Sequence, residues 1–276
     1  MGVLIKRNVK LYFRDKVNMF FSLLSVLLII VLFALFLGTG FAHGNAMIDS
    51  WLMAGVIAVA AVTTSLGALS VIVDDRQTKR NKGFYASPIR RSSIAAGYIL
   101  GAFVVSVIMT AITAIGLTIY GLIRGGSLLS APAYLQMAGI ILLASISGTA
   151  MVCFIVSLIK TNSAYGTIST IIGTLIGFLA GIYFPMGQAP EFLRPVMVAF
   201  PPSQAAMLLR RITMADPIAY AFYAEPEYIQ GFQDFMGYNL TLGNLEITAP
   251  ISIAYLLITA AIFYGLSYLN MRKMVK

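Results

Sequence analysis

A chain of 276 residues with one histidine, His43, and one cysteine, Cys153, has little with which to catalyse a reaction. Those two residues lie in separate segments and make neither a metal cluster nor a Cys–His nucleophile pair. No GxxxxGK[ST] run occurs, so a nucleotide finds no P-loop. What remains is charge used for recognition. Residues 74–93, DDRQTKRNKGFYASPIRRSS, collect Asp74, Asp75, Arg76, Lys79, Arg80, Lys82, Arg90 and Arg91 around two aromatics, Phe84 and Tyr85. The two aspartates suit a helix N-terminus, Gly83 suits its end, and Pro88 forces an extended bend. Two readings stand open for the aromatics: they dip into a membrane interface as anchors, or they belong to a short helix seated in a partner's groove.

The elements that must carry this segment are legible from where charge is missing. Residues 17–48, 50–73, 92–123, 125–159, 161–190 and 247–271 contain no Asp, Glu, Lys or Arg. Each is long enough to cross a bilayer, which needs about 20 mostly apolar residues. The expected fold is therefore an all-α integral membrane protein with six transmembrane helices, and 1–276 is one membrane domain. With 59% hydrophobic and 11% charged residues there is no room for a soluble enzyme domain. The stretch 17–37 is too long for a signal-peptide core and reads as a retained first span.

Charge alternation then orients the spans. Fifteen of the 19 Lys and Arg fall before the first span, between the second and third, at Lys160, or after the sixth. Cytoplasmic loops collect such residues, so both termini are expected in the cytoplasm of a bacterial cell, with the chain in its plasma membrane. The net charge of +9 is thus topological: it faces anionic lipid and no nucleic acid. None of the charge-free stretches holds a carboxylate that could relay a proton or bind a coupling ion, as most ion-driven carriers require. A sodium site made of carbonyls and hydroxyls stays open. Otherwise directed transport needs energy from another subunit.

Four further segments carry expectations. Residues 3–16 form an amphipathic interface helix, with Lys6, Arg7, Lys10 and Arg14 on one face and Ile5, Val9, Tyr12 and Phe13 largely opposite. It is either a positive-inside anchor or also a contact for a cytoplasmic subunit. Trp51 opens the second span at an interface, where an indole is favoured. In the fifth span Gly173, Gly177 and Gly181 recur every four residues, giving one face for close backbone approach, either within the monomer or at a subunit interface or path wall. Residues 185–249 form an external hairpin and cap. Within them, 196–209 is too short to span at ~1.5 Å per residue and is interrupted by Pro201-Pro202, which favours a re-entrant or interfacial hairpin over a seventh crossing. Thr63, Thr64, Ser65, Ser70, Thr167, Ser169 and Thr170 in the second and fifth spans offer a mildly polar lining.

In this order the motifs resemble the type 2 ATP-binding-cassette exporter permeases, the drug, antibiotic and lipid exporters among them. The likeness rests on Asp74-Asp75-Arg76 after the second span, on the run Gly83-Phe84-Tyr85-Ala86-Ser87-Pro88-Ile89-Arg90-Arg91, and on GIYFPMGQAPEFLRPVMVAFPPSQAAMLLRR with Pro185, Pro190, Pro201, Pro202 and Arg210. The resemblance implies a permease that dimerises with itself or a related chain and binds two cytoplasmic ATPase subunits. ATP and Mg would belong to those subunits, so this chain itself carries no cofactor, no metal and no ATPase activity. It implies that 74–93 is the coupling loop, that residues 3–16 flank the same ATPase, and that an amphiphilic or hydrophobic cargo leaves along the dimer interface. Gln77-Thr78-Lys79-Arg80 departs from the family's common glycine-threonine step. The competing reading is an ATPase-independent secondary carrier or channel; a membrane enzyme stands third.

Overall fold

In the computed structural model, which describes residues 1–32, 45–80, 83, 91–223, 226–242 and 245–273, the chain opens with α1 (Gly2–Arg14) and α2 (Lys16–Leu32). Asp15 makes the corner between them, its carboxylate accepting the Asn18 N–H at 2.9 Å. Next comes α3 (Asn45–Gln77), apolar on every side and 33 residues long. A helix of that kind belongs in the middle of a bundle, and Val56, Ile57, Val59, Ala60 and Leu69 are all fully buried. It does not stop near Val73, as its charge pattern suggests, but runs on through Asp74 and Asp75 to Gln77. At ~1.5 Å per residue it measures about 50 Å, well over a ~30 Å hydrocarbon core.

Around α3 stand α4 (Arg91–Ile123), α5 (Ala131–Leu158) and α6 (Asn162–Leu179). Ser130 and Thr161 cap the last two, accepting the N–H groups of Ala133 and Ala164. Small residues let the cores meet: a Cβ placed on Gly148 of α5 would lie 3.1 Å from Val62 of α3. Hydroxyls tie the same helices, Ser65 to Thr149 at 2.9 Å and Ser106 to the Ala61 carbonyl at 2.8 Å. Such bonds matter where no water competes.

Two short helices follow, α7 (Arg194–Ala199) and α8 (Pro201–Thr213), then α9 (Ala215–Ala221) and α10 (Ile229–Met236). Helix α7 ends at Ala199 and Pro201 and Pro202 open α8, so the 196–209 stretch is interrupted as expected. The prolines suit a first turn whose N–H groups are unpaired anyway. A small antiparallel hairpin, β1 (Leu240–Leu242) with β2 (Leu245–Ile247), leads into α11 (Ala249–Lys273). The segment 214–247 is therefore folded into short elements wherever it is described. Among the described residues four helices, α3, α4, α5 and α11, are long and apolar enough to cross a membrane. The expected first and fifth spans are helices of 17 and 18 described residues, short of the usual ~20. His43, Lys82, Phe84, Tyr85, Pro88 and Arg90 lie outside the described residues, as does the side chain of Arg91.

Candidate functional site

The end of α3 gathers four other elements. Asp75 is buried there, 1% exposed, and accepts both Nη atoms of Arg7 at 2.8 and 2.9 Å and the Tyr98 hydroxyl at 2.6 Å. Those bonds hold the Arg7 guanidinium above its ordinary pKa range. Expected at a helix N-terminus, Asp74 and Asp75 instead occupy the last turn of α3, where the macrodipole disfavours anions. The cations explain how they stand there: Arg7 reaches from α1, and Arg80 lies 3.4 Å from Asp74 and 4.0 Å from Asp75.

The next two residues hold the turn between α5 and α6. Arg76 donates to the Val156 and Ile159 carbonyls at 3.1 and 2.9 Å, satisfying the C-terminal end of α5. Gln77 accepts the Asn162 N–H, the first of α6, at 2.9 Å. Lys79 then turns the chain away with φ of 58°, the left-handed conformation usually left to glycine. So residues 74–80 fasten α1, α4, α5 and α6 to α3 at the point where the chain enters 81–90.

The N-terminal helix is seated on protein along Leu4, Asn8 and Tyr12, a stripe one residue off the apolar face expected from its charges. Lys6, Lys10 and Arg14 point outward while Arg7 turns in. The seat is built from glycines: a Cβ on Gly97 or Gly101 of α4 would lie 2.7 Å from Leu4 or 3.0 Å from Asn8. Asn8 also donates to the Gly97 carbonyl, and Tyr12 meets Ser22 of α2. The GYILG spacing that marks this face was available in the sequence but looks no different from that of the fifth span. Gly97→Val is expected to lift α1 off α4 at a cost of about 1–3 kcal/mol. Faster tryptic cleavage after Arg7 would report it, and a cleavage rate equal to wild type would refute the seat.

At the far end of α3 a second cluster forms around Arg210. It is fully buried and donates to Gly237 at 3.2 Å and to Ala180 and Gly181 at 3.4 and 2.6 Å, while its carbon Cζ lies 5.4 Å from the Trp51 ring centre. Trp51 is buried with it and donates its indole N–H to the Met236 carbonyl, so it is a packing residue here rather than an interface anchor. Gly181 falls beyond the end of α6, in the left-handed conformation, and does not share a helical face with Gly173 and Gly177. Gly177 is covered by the Tyr183 ring, and among the described residues nothing lies within 4 Å of a Cβ built on Gly173. Pro185 precedes a single 3-10 turn, Met186–Gln188, and the Pro190 carbonyl accepts the N–H groups of Leu193 and Arg194.

Five of the seven hydroxyls fall into two groups, and Ser70 and Ser169 are half-buried. Thr63, Thr64 and Ser65 are buried inside the bundle and bond to carbonyls of their own helix. Thr167, Thr170 and Thr174 of α6 lie exposed along its surface.

A family model described as "ABC-2 family transporter protein" matches residues 46–269, from the first turn of α3 to the last turns of α11. This chain belongs to the ABC-2 transporter family. It is the membrane component, a permease subunit, of an ATP-binding-cassette transporter, and a multi-pass membrane protein. No curated protein matches it. In the ABC-2 chain α1 and α2 precede the matched region, yet α1 supplies Arg7 to Asp75 within it.

Proposed function

We propose that this ABC-2 permease is the exporting half of an ATP-driven machine in which 74–93 is the contact for a cytoplasmic ATPase. The supporting observation is the fastening at residues 74–80: a push on the adjoining loop would reach α1, α3, α4, α5 and α6 together through Asp75, Arg76 and Gln77. Loop residues Phe84, Tyr85, Pro88, Arg90 and Arg91 would make the contact, with Lys6, Lys10 and Arg14 of α1 beside them. In this reading α2 and α6 complete six crossings, both termini are cytoplasmic, and α1 lies along the inner interface. The α7–α8 pair is a re-entrant hairpin, since 13 residues of α8 reach only about 20 Å. Two permeases pair, and an amphiphilic cargo moves along the exposed hydroxyls of α6, not past the buried Thr63, Thr64 and Ser65.

The test is reconstitution in liposomes with the co-purified ATPase. Cargo flux is expected only with ATP and the ATPase present. Pro88→Ala or Tyr85→Ala is expected to leave ATP hydrolysis running while flux falls about tenfold or more. Flux from the permease alone would replace this reading with the secondary carrier. A reporter fused at residue 230 should read as external.

A further inference from the structure

The geometry points to a binding site for an alkylammonium group at the Asp49 end of α3; only the side of the membrane it faces rests on the proposed topology. A cavity of about 80 Å³ lies between the first turn of α3, the end of α4, the start of α5 and the α8–α9 junction. Asp49, Tyr120, Tyr134 and Asp216 line it, with Met53 and Leu129 among its apolar walls.

Asp49 and Asp75, toward opposite ends of α3, are paired very differently. Asp75 takes a bidentate arginine and a tyrosine, so both of its oxygens are bonded. Asp49, 13% exposed, receives Arg124 through Nε alone at 3.4 Å, and its second oxygen has no partner among the described residues. Arg124 Nη2 and the Tyr134 hydroxyl oxygen are buried and have no partner among the described residues. A carboxylate oxygen left open beside a cavity is a ready acceptor for the N–H of a cation. Asp216 stands exposed at the mouth and makes no ion pair among the described residues. With Arg124 the nearest charges sum to −1. An ammonium head would bond Asp49, Asp216 and the Tyr134 oxygen, with the Tyr120 ring available for a cation–π contact. The apolar walls would hold the stem. A neutral alcohol leaves the carboxylate short of a cation, and a carboxylate ligand meets two of its own sign.

Saturation-transfer NMR on the full chain in nanodiscs tests this with benzylammonium, benzyl alcohol and benzoate. Benzylammonium is expected to bind, with the other two at least tenfold weaker. Asp216→Asn should weaken it about threefold, the size of one exposed charge pair. Arg124→Gln should tighten it severalfold, because the site moves from −1 to −2. If the Asp49–Arg124 pair were only structural, that change would loosen or abolish binding. Equal transfer to benzyl alcohol, or no tightening in Arg124→Gln, overturns the site. Separately, Asp216→Cys in intact cells should react with a membrane-impermeant maleimide. Reaction only after the cells are opened would overturn the topology and leave the ammonium site standing.

Discussion

Arg210→Ala is expected to destabilise the permease by about 3–5 kcal/mol, among the largest single-site effects in the chain. The reasons add up from separate contacts. Removing the side chain leaves the carbonyls of Ala180, Gly181 and Gly237 without their donor and opens a void where the guanidinium was fully enclosed. Those carbonyls close the C-terminal ends of α6 and α10, where a cation offsets two macrodipoles at once. Among the described residues Arg210 makes no ion pair with a carboxylate, so no acid is stranded by its loss. A lysine lacks the planar fork that reaches three carbonyls and should recover only part of the stability. The single tryptophan reports the outcome directly, since Trp51 lies against Arg210 and bonds Met236. Unfolding in detergent should shift to lower denaturant, with red-shifted emission already in the folded variant. A loss below about 1 kcal/mol would show that the clasp is incidental.

Asp75→Asn is expected to cost about 2–4 kcal/mol. The new amide would turn an N–H toward Arg7 or Tyr98, both of which are already donating. Arg7 keeps 27% of its side-chain surface, so water recovers part of its solvation and the cost stays below that of a wholly enclosed pair. Arg7→Gln alone should cost less, and the double variant less than the sum. A double-mutant cycle read by chemical unfolding should give a coupling of about 2 kcal/mol. Additive losses would mean the two ends are held by something else. The functional prediction is sharper: Arg7→Gln should reduce transport more than it reduces folded protein, because α1 then no longer follows α3.

How much could be read in advance follows from what each feature writes into a local stretch of chain. The charge-free runs mark the helices because a charge is costly at every position of a membrane span, whether it packs on protein or faces lipid. Pro201-Pro202 marks the start of α8 because a proline's missing N–H is a local fact. Asp75 and Arg7 are 68 residues apart, and their pairing leaves no trace in either neighbourhood. Nothing local showed that α3 would continue past Val73 either, since acids at a C-terminal turn are tolerated only when cations arrive from elsewhere. Glycine spacing misled for a related reason. The step of four recurs at Gly97 and Gly101 and in the fifth span, and only packing shows that the first pair receives a helix while Gly173 meets none of the described residues. Trp51 looked like an anchor because an indole at a helix start usually meets head groups; here the segment around α10 covers it.

Lys79 carries one more consequence. A side chain held in the left-handed region stores on the order of 1–2 kcal/mol that glycine there would not. The surrounding structure holds the heading on which the polypeptide leaves α3, and a glycine, with more conformations open to it, would hold it less firmly. A glycine at 79 would relax the corner and let the following loop swivel, so an incoming stroke would be spent in bending the joint before it turned the rod.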